Sequence, residues 1–184
     1  MGILTLIKTL TADGDSALSF VDGTASVVLD STYDEYMFVF TDIGPASDDV
    51  EFGFQVNVAG GSGYNETVTS AYFRAYHEED DSAVGMGIIA AHDQAQGTAE
   101  QTLAFDIGNA ADESAAGVLH IFSPSNTTFV THFWSRMSSN SAGGDQSMDS
   151  FVNGYFNLTG AVDEISFEMS SGNFDGVIQM YGIA

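Results

Sequence analysis

The side chains able to do chemistry in this chain are few and loosely spaced. Four histidines stand at His77, His92, His120 and His132. None lies three or four residues from another, as a helical zinc motif requires, and the chain has no cysteine to complete a thiolate site. His120 and His132 are expected as neighbours on adjacent strands, where they pack or hydrogen-bond. Tyr72, Arg74, Tyr76 and His77 form the one cluster that brings a cation, phenols and an imidazole close in sequence. Such a set can neutralise a carboxylate and shuttle a proton, as in cleavage of a polysaccharide by β-elimination. Strand alternation, however, places Tyr72, Arg74 and Tyr76 on one face and His77 on the other. The basic residues are only Lys8, Arg74 and Arg136, so an internal salt bridge is the simpler expectation for Arg74.

Carboxylates are abundant: Asp34-Glu35, Asp48-Asp49, Glu78 to Asp81, Asp112-Glu113 and Asp163-Glu164. Acid–base catalysis needs two carboxyls held in unlike environments, whereas neighbours in a polar turn share one. The same oxygens suit calcium, but neither an EF-hand loop nor a nonapeptide repeat is present. G-x-S-x-G, P-loop, G-x-G-x-x-G and H-E-x-x-H patterns are absent too. The residues therefore assign no catalytic, cofactor-binding or metal-binding position, and the expectation is a protein that is not an enzyme and takes no cofactor.

The elements that must position these groups are strands. Tyr36 to Phe40 is apolar at every position, which predicts a strand covered on both faces. Ile43-Gly44-Pro45 ends it and Asp48-Asp49 solvates the turn. From Glu51 the pattern alternates strictly, Phe52, Phe54, Val56 and Val58 against Glu51, Gly53, Gln55 and Asn57, predicting a strand with one face in water. Further strands are expected at Ile3–Leu10, Ala17–Val21, Val27–Leu29, within Tyr64–His77, Gly85–Ala91, Gln101–Ile107, Val118–Phe122, Thr128–Met137, Phe151–Leu158, Glu164–Met169 and Val177–Ile183. His92 to Glu100 and Ser138 to Ser150 read as polar loops. Ten or more short strands with frequent turns and no long helical period predict an all-β fold: an antiparallel β-sandwich of jelly-roll type, one domain over residues 1–184.

Composition narrows the partners. Asp and Glu number 26 and the formal charge is −23, a field that disfavours nucleic acid and anionic membrane surfaces. Hydrophobic residues make up 44% and Phe alone 14 positions, enough for a substantial core, so the charge does not imply disorder. The first ten residues lack the basic and continuous apolar regions of a signal peptide, and no segment approaches the length of a membrane span.

Three blocks carry a resemblance. They are LTLIKTLTADGDSALSFVDG with STYDEYMFVFTDIGPASDDVEFGFQVNV, then GGSGYNETVTSAYFRAYHEEDDSA, then FVNGYFNLTGAVDEISFEMSSGNFDGVIQMYGIA, with the ending G-x-I-x-M-Y-G-I the most recognisable. Together they resemble small structural proteins of the virions of tailed phages that infect marine bacteria; Gly85 to Asn126 lies outside the match. The resemblance implies a virion location after assembly in the host cytoplasm, and it transfers no catalytic residue. The leading expectation is a capsid decoration, or cement, protein on the outer head surface. It would bridge capsid subunits, contacting the major capsid protein and itself, as a homotrimer. Met1 to Leu10, with Lys8 its only charge, is the candidate contact, although an ordinary core strand explains that stretch equally. The alternative is a tail-fibre module that recognises host glycans, with Tyr64, Trp134 and the Ser138 to Ser150 segment as candidate positions.

Overall fold

Period-two patterning resolves into strands throughout. The computed structural model describes residues 3–143 and 145–184. Among them run β1 (Leu4–Asp15), β2 (Ala17–Val21), β3 (Glu35–Pro45), β4 (Val50–Val58), β5 (Val68–Glu78), β6 (Val84–Ile88), β7 (Ala95–Gly97), β8 (Gln101–Ile107), β9 (Ala115–Phe122), β10 (Thr131–Asn140), β11 (Gln146–Phe156), β12 (Val162–Met169) and β13 (Phe174–Ile183). All pairings are antiparallel. A nine-stranded sheet has the order β1-β13-β3-β9-β10-β11-β5-β6, with β7 also on β5, and a four-stranded sheet has the order β2-β12-β4-β8. The fold is thus the expected all-β sandwich; the strand order does not by itself establish its jelly-roll form.

The sheets meet through aromatic side chains. Phe38 and Phe40 of β3 face Phe20, Phe52, Phe54 and Phe167 of the smaller sheet, all buried. Phe167 is the hub: its ring lies 5.2 to 6.2 Å from those of Phe20, Phe38, Phe40, Phe52 and Phe54. The G-x-I-x-M-Y-G-I ending forms β13, between β1 and β3. Ile178 and Met180 enter the core. Gly176 (φ 141°) sits at a bulge where an added Cβ would meet the Asp42 carbonyl oxygen at 2.8 Å.

Several expectations are corrected. The two strands of the segment from Tyr36 to Val58 exchange roles. Of the five residues from Tyr36 to Phe40 only Tyr36, Phe38 and Phe40 are buried; Met37 and Val39 are half-exposed on the outer face. In β4 both faces are covered, because the Gln55 amide donates to the carbonyls of Glu66 (3.0 Å) and Ala99 (3.1 Å). Those connecting segments lie across the face expected to be wet, and a buried amide there satisfies backbone that an apolar side chain would leave unpaired. Val27–Leu29 is buried but is no strand: Leu29 N–H is held by the Asp22 carboxylate and Asp30 N–H by the Tyr36 hydroxyl. Ala95–Gly97, within the supposed loop, pairs with β5. The Ser138 to Ser150 segment is mostly ladder, since β10 reaches Asn140 and β11 starts at Gln146. Its small hydroxyl side chains tolerate inward positions, as Ser135 does by donating to the Val118 carbonyl at 2.8 Å.

Replacing Phe167 with alanine removes the ring common to both layers and is expected to cost about 3–5 kcal/mol. Phe167→Leu should cost distinctly less; denaturant unfolding of both variants checks the ranking.

Candidate functional site

The cluster around Arg74 forms, but with different members. Tyr72, Arg74 and Tyr76 point to the inside of the sandwich, as alternation requires, and His77 points outward beside Asp81 at 3.2 Å. The Arg74 guanidinium has no carboxylate within 4.0 Å among the described residues, which overturns the salt-bridge expectation. It lies instead over the rings of Tyr76 and Phe105, 4.9 Å from each, and donates to Met148 Sδ at 3.1 Å. Aromatic faces attract a cation that is partly withdrawn from water. The imidazole of this cluster comes from His92: its ring is 4.6 Å from Phe105 and 5.3 Å from Tyr72. Its Nδ1 is 3.5 Å from Glu51 Oε2, which accepts the Thr102 hydroxyl at 2.6 Å. Burial raises the Tyr72 phenol well above its ordinary range. These groups fill the margin where the two sheets part, around Phe105. Sequence reasoning missed His92 because it sits in an irregular segment with no periodicity to place it.

Two carboxyls near this margin are held against their usual ionisation. Burial and then the neighbouring Glu168 push Glu100 up to about 8, and burial with Asp49 pushes Asp106 up to about 6. Ionisation is the unfavourable event in the folded chain. The stability they contribute is complete below the ordinary carboxylate range and is lost as pH rises through those values.

The other histidines lie on the outer face of the nine-stranded sheet. His120 stands opposite Trp134, not His132, which stands opposite Phe122. The His120 ring stacks on Trp134 at 4.2 Å, and its Nδ1 meets the Glu35 carboxylate. One cross-strand row runs Ile88, Phe73, Phe151, Arg136, Val118, Val39. The next runs Asn153, Trp134, His120, Met37, Tyr181, Leu6. Phe73 and Phe151 stack at 4.8 Å, and Arg136 lies over Phe151 while gripping Asp149 through two bonds of 2.9 and 2.7 Å. In the middle of this face the carboxylates are Glu35, bonded to the His120 ring, and Asp149, held by Arg136; Asp13 and Asp175 lie at one end, and Asp81, Glu79 and Asp112 border the face in turns. Most of the chain's acids sit instead in turns and on loops. A broad face rich in aromatic and aliphatic side chains, with the two carboxylates at its middle each bonded to a neighbouring side chain, has the composition of a protein interface.

The N-terminal candidate contact adjoins that face. Leu4 and Leu6 of β1 are half-exposed on it, opposite Ile183 and Tyr181, while Lys8 turns to the other side and donates to the Ala25 carbonyl at 3.1 Å. Met1 and Gly2 lie outside the described residues. The glycan candidates are not brought together: Trp134 is on the outer face of the large sheet, whereas Tyr64 lies beside Ser19 and Glu164 of the small one. A cleft of about 550 Å3 opens at the end of the large sheet, lined by Phe122, Asn126, Thr128, Phe129, His132 and Thr159 among others. No group of three or more His, Asp or Glu gathers as a metal site would require, and no helix is long and apolar enough to cross a membrane, among the described residues.

Comparison with known proteins adds loose likenesses. No family model matches the chain, and no curated protein does. A protein of unknown function from Bacteroides ovatus superposes with a TM-score of 0.31 at 6% identity, over 58% of this chain and 45% of the other. Structures of infectious bursal disease virus, Gx strain, and of its VP2 subviral particle give 0.17 and 0.19, each at 14% identity, over 100% and 98% of this chain and 40% of theirs. The chain spans less than half the length of each of these structures. Superpositions this loose carry nothing about function.

The expected pH response is a fall in thermal stability that starts in the ordinary carboxylate range, near about pH 4, and ends at about 6 for Asp106 and about 8 for Glu100. Glu100→Gln should abolish the fall above about pH 6 in a thermal-melt series and leave only the shallower part below it.

Proposed function

We propose that this chain is a virion structural protein: a decoration protein that lays the outer face of its nine-stranded sheet on the outside of a phage head, bridging capsid subunits. The observation that carries this reading is the contrast between a chain of formal charge −23 and a sheet face whose middle holds only two carboxylates, Asp149 gripped by Arg136 and Glu35 bonded to the His120 ring. Acidic surfaces repel each other and most proteins, so close contact is favoured where charge is neutralised. The apolar run of β3 supports it further. Met37 and Val39 are the residues of a strand covered on both sides, yet the chain covers only one; a capsid surface would supply the other cover. The resemblance to phage virion proteins points the same way. On this reading the protein is a non-catalytic building block present in many copies, with the major capsid protein as its partner.

The cleft beside Phe129 favours a second reading, a tail-fibre module for host glycans. Phe129 offers an exposed ring for stacking on a sugar, and Asn126, Thr128, His132 and Thr159 offer polar groups around it.

Quantitative mass spectrometry of purified particles separates the two, with hundreds of copies expected for decoration and a few dozen or fewer for a fibre. Trp134→Glu, which places an unpaired charge on the sheet face, should abolish incorporation without changing the circular dichroism. Phe129→Ala should leave incorporation intact under the decoration reading. Absence from particles, or normal incorporation of Trp134→Glu, would refute the sheet-face proposal.

A further inference from the structure

β6, Val84–Ile88, is an edge of the nine-stranded sheet and reads VGMGI. Its pairing with β5 decides which of its backbone groups are free. Glu78 N–H donates to the Ala83 carbonyl at 2.9 Å, and Ile89 N–H donates to the Tyr72 carbonyl at 3.1 Å. Bonded residues recur at every second position of an antiparallel ladder. Ala83, Gly85, Gly87 and Ile89 therefore turn their N–H and C=O groups to β5. Val84, Met86 and Ile88 turn theirs off the edge. The side chains of these three are 72%, 77% and 73% exposed, so nothing in the described chain lies across them. Gly85 and Gly87 add no side chain on the inner side, where a Cβ on Gly85 would strike the Tyr76 ring at 2.7 Å.

Natural proteins blunt such edges with charge, proline or a covering loop. This strand has none of these, in a chain with 26 acids. We propose that β6 pairs with β6 of a second copy, antiparallel about a two-fold axis at Met86, joining two nine-stranded sheets edge to edge. In that register Val84 faces the partner's Ile88 and Met86 faces the partner's Met86, and facing residues exchange both backbone bonds. A second copy fits this edge for two reasons. The strand is self-complementary in that register, with apolar side chains opposite apolar ones. The antiparallel sense also sends the two acidic turns, Glu78 to Asp81, to opposite ends of the contact, where a parallel pairing would set them side by side. A two-fold contact replaces the three-fold one expected from the sequence. It leaves the outer face of the sheet free, so it stands independently of the docking proposed above.

Sedimentation equilibrium of the full chain tests the pairing. The expected mass is twice that of the chain, with association tightening as salt screens the acidic copies from each other. Met86→Glu sets two carboxylates face to face at the axis and should return the chain to a monomer with unchanged circular dichroism. The chain has no cysteine, so a single introduced thiol reports the register. Met86→Cys should cross-link under mild oxidation, because facing Cα atoms in a bonded pair lie about 5.5 Å apart, within disulfide reach. Val84→Cys should not, since its counterpart lies at the far end of the partner strand. A wild-type monomer at every salt concentration, a trimer, or equal cross-linking of the two cysteine variants would overturn the proposal.

Discussion

Phe167 touches five other phenylalanine rings drawn from both sheets, and the architecture depends on that contact. The chain has no cysteine and, among the described residues, no helix to tie its layers, so the adhesion of the two sheets rests on apolar and aromatic burial. Phe20, Phe38, Phe40 and Phe167 meet in edge-on and tilted geometries, the arrangements that aromatic rings prefer over a face-to-face sandwich. Because the four-stranded sheet is half the width of the other, whose order is eight strands across, that core covers only part of the large sheet's inner face. At the uncovered margin the same role passes to Tyr72, His92, Phe105 and Arg74, a polar-tipped version of the ring cluster.

Unequal sheets also explain where a partner can act. The inner face of the large sheet is closed by the small sheet and by the margin cluster. The outer face of the small sheet is crossed by connecting segments pinned to Gln55. The outer face of the large sheet has no such cover, and it is where aromatic residues and paired charges collect. Electrostatics sharpens the contrast. With a formal charge of −23, mutual repulsion opposes contact over most of the surface, and neutral ground becomes the place where association costs least. The raised carboxyls Glu100 and Asp106 belong to the same economy: crowded acids at a partly dry margin hold protons that exposed acids release.

Sequence periodicity determined much of this protein. The all-β class, most strand positions, the inward set Phe52, Phe54 and Val56 and the split of Arg74 from His77 follow from side chains alternating every second residue, a property local to each strand. Tertiary structure alone decided the rest. Whether β3 or β4 would be covered twice depended on which connections crossed which face, and residues 64–67 and 92–100 carry no pattern that says so. Val27–Leu29 looked like a strand because burial, not pairing, selects apolar side chains. Arg74 found rings instead of an acid, His92 joined them, and His120 met Trp134, because each contact joins segments far apart in sequence whose register is set by sheet order. Alternation specifies which side of a strand faces inward; it does not specify which strand lies beside it, and that neighbour determines the chemistry of every cluster described above.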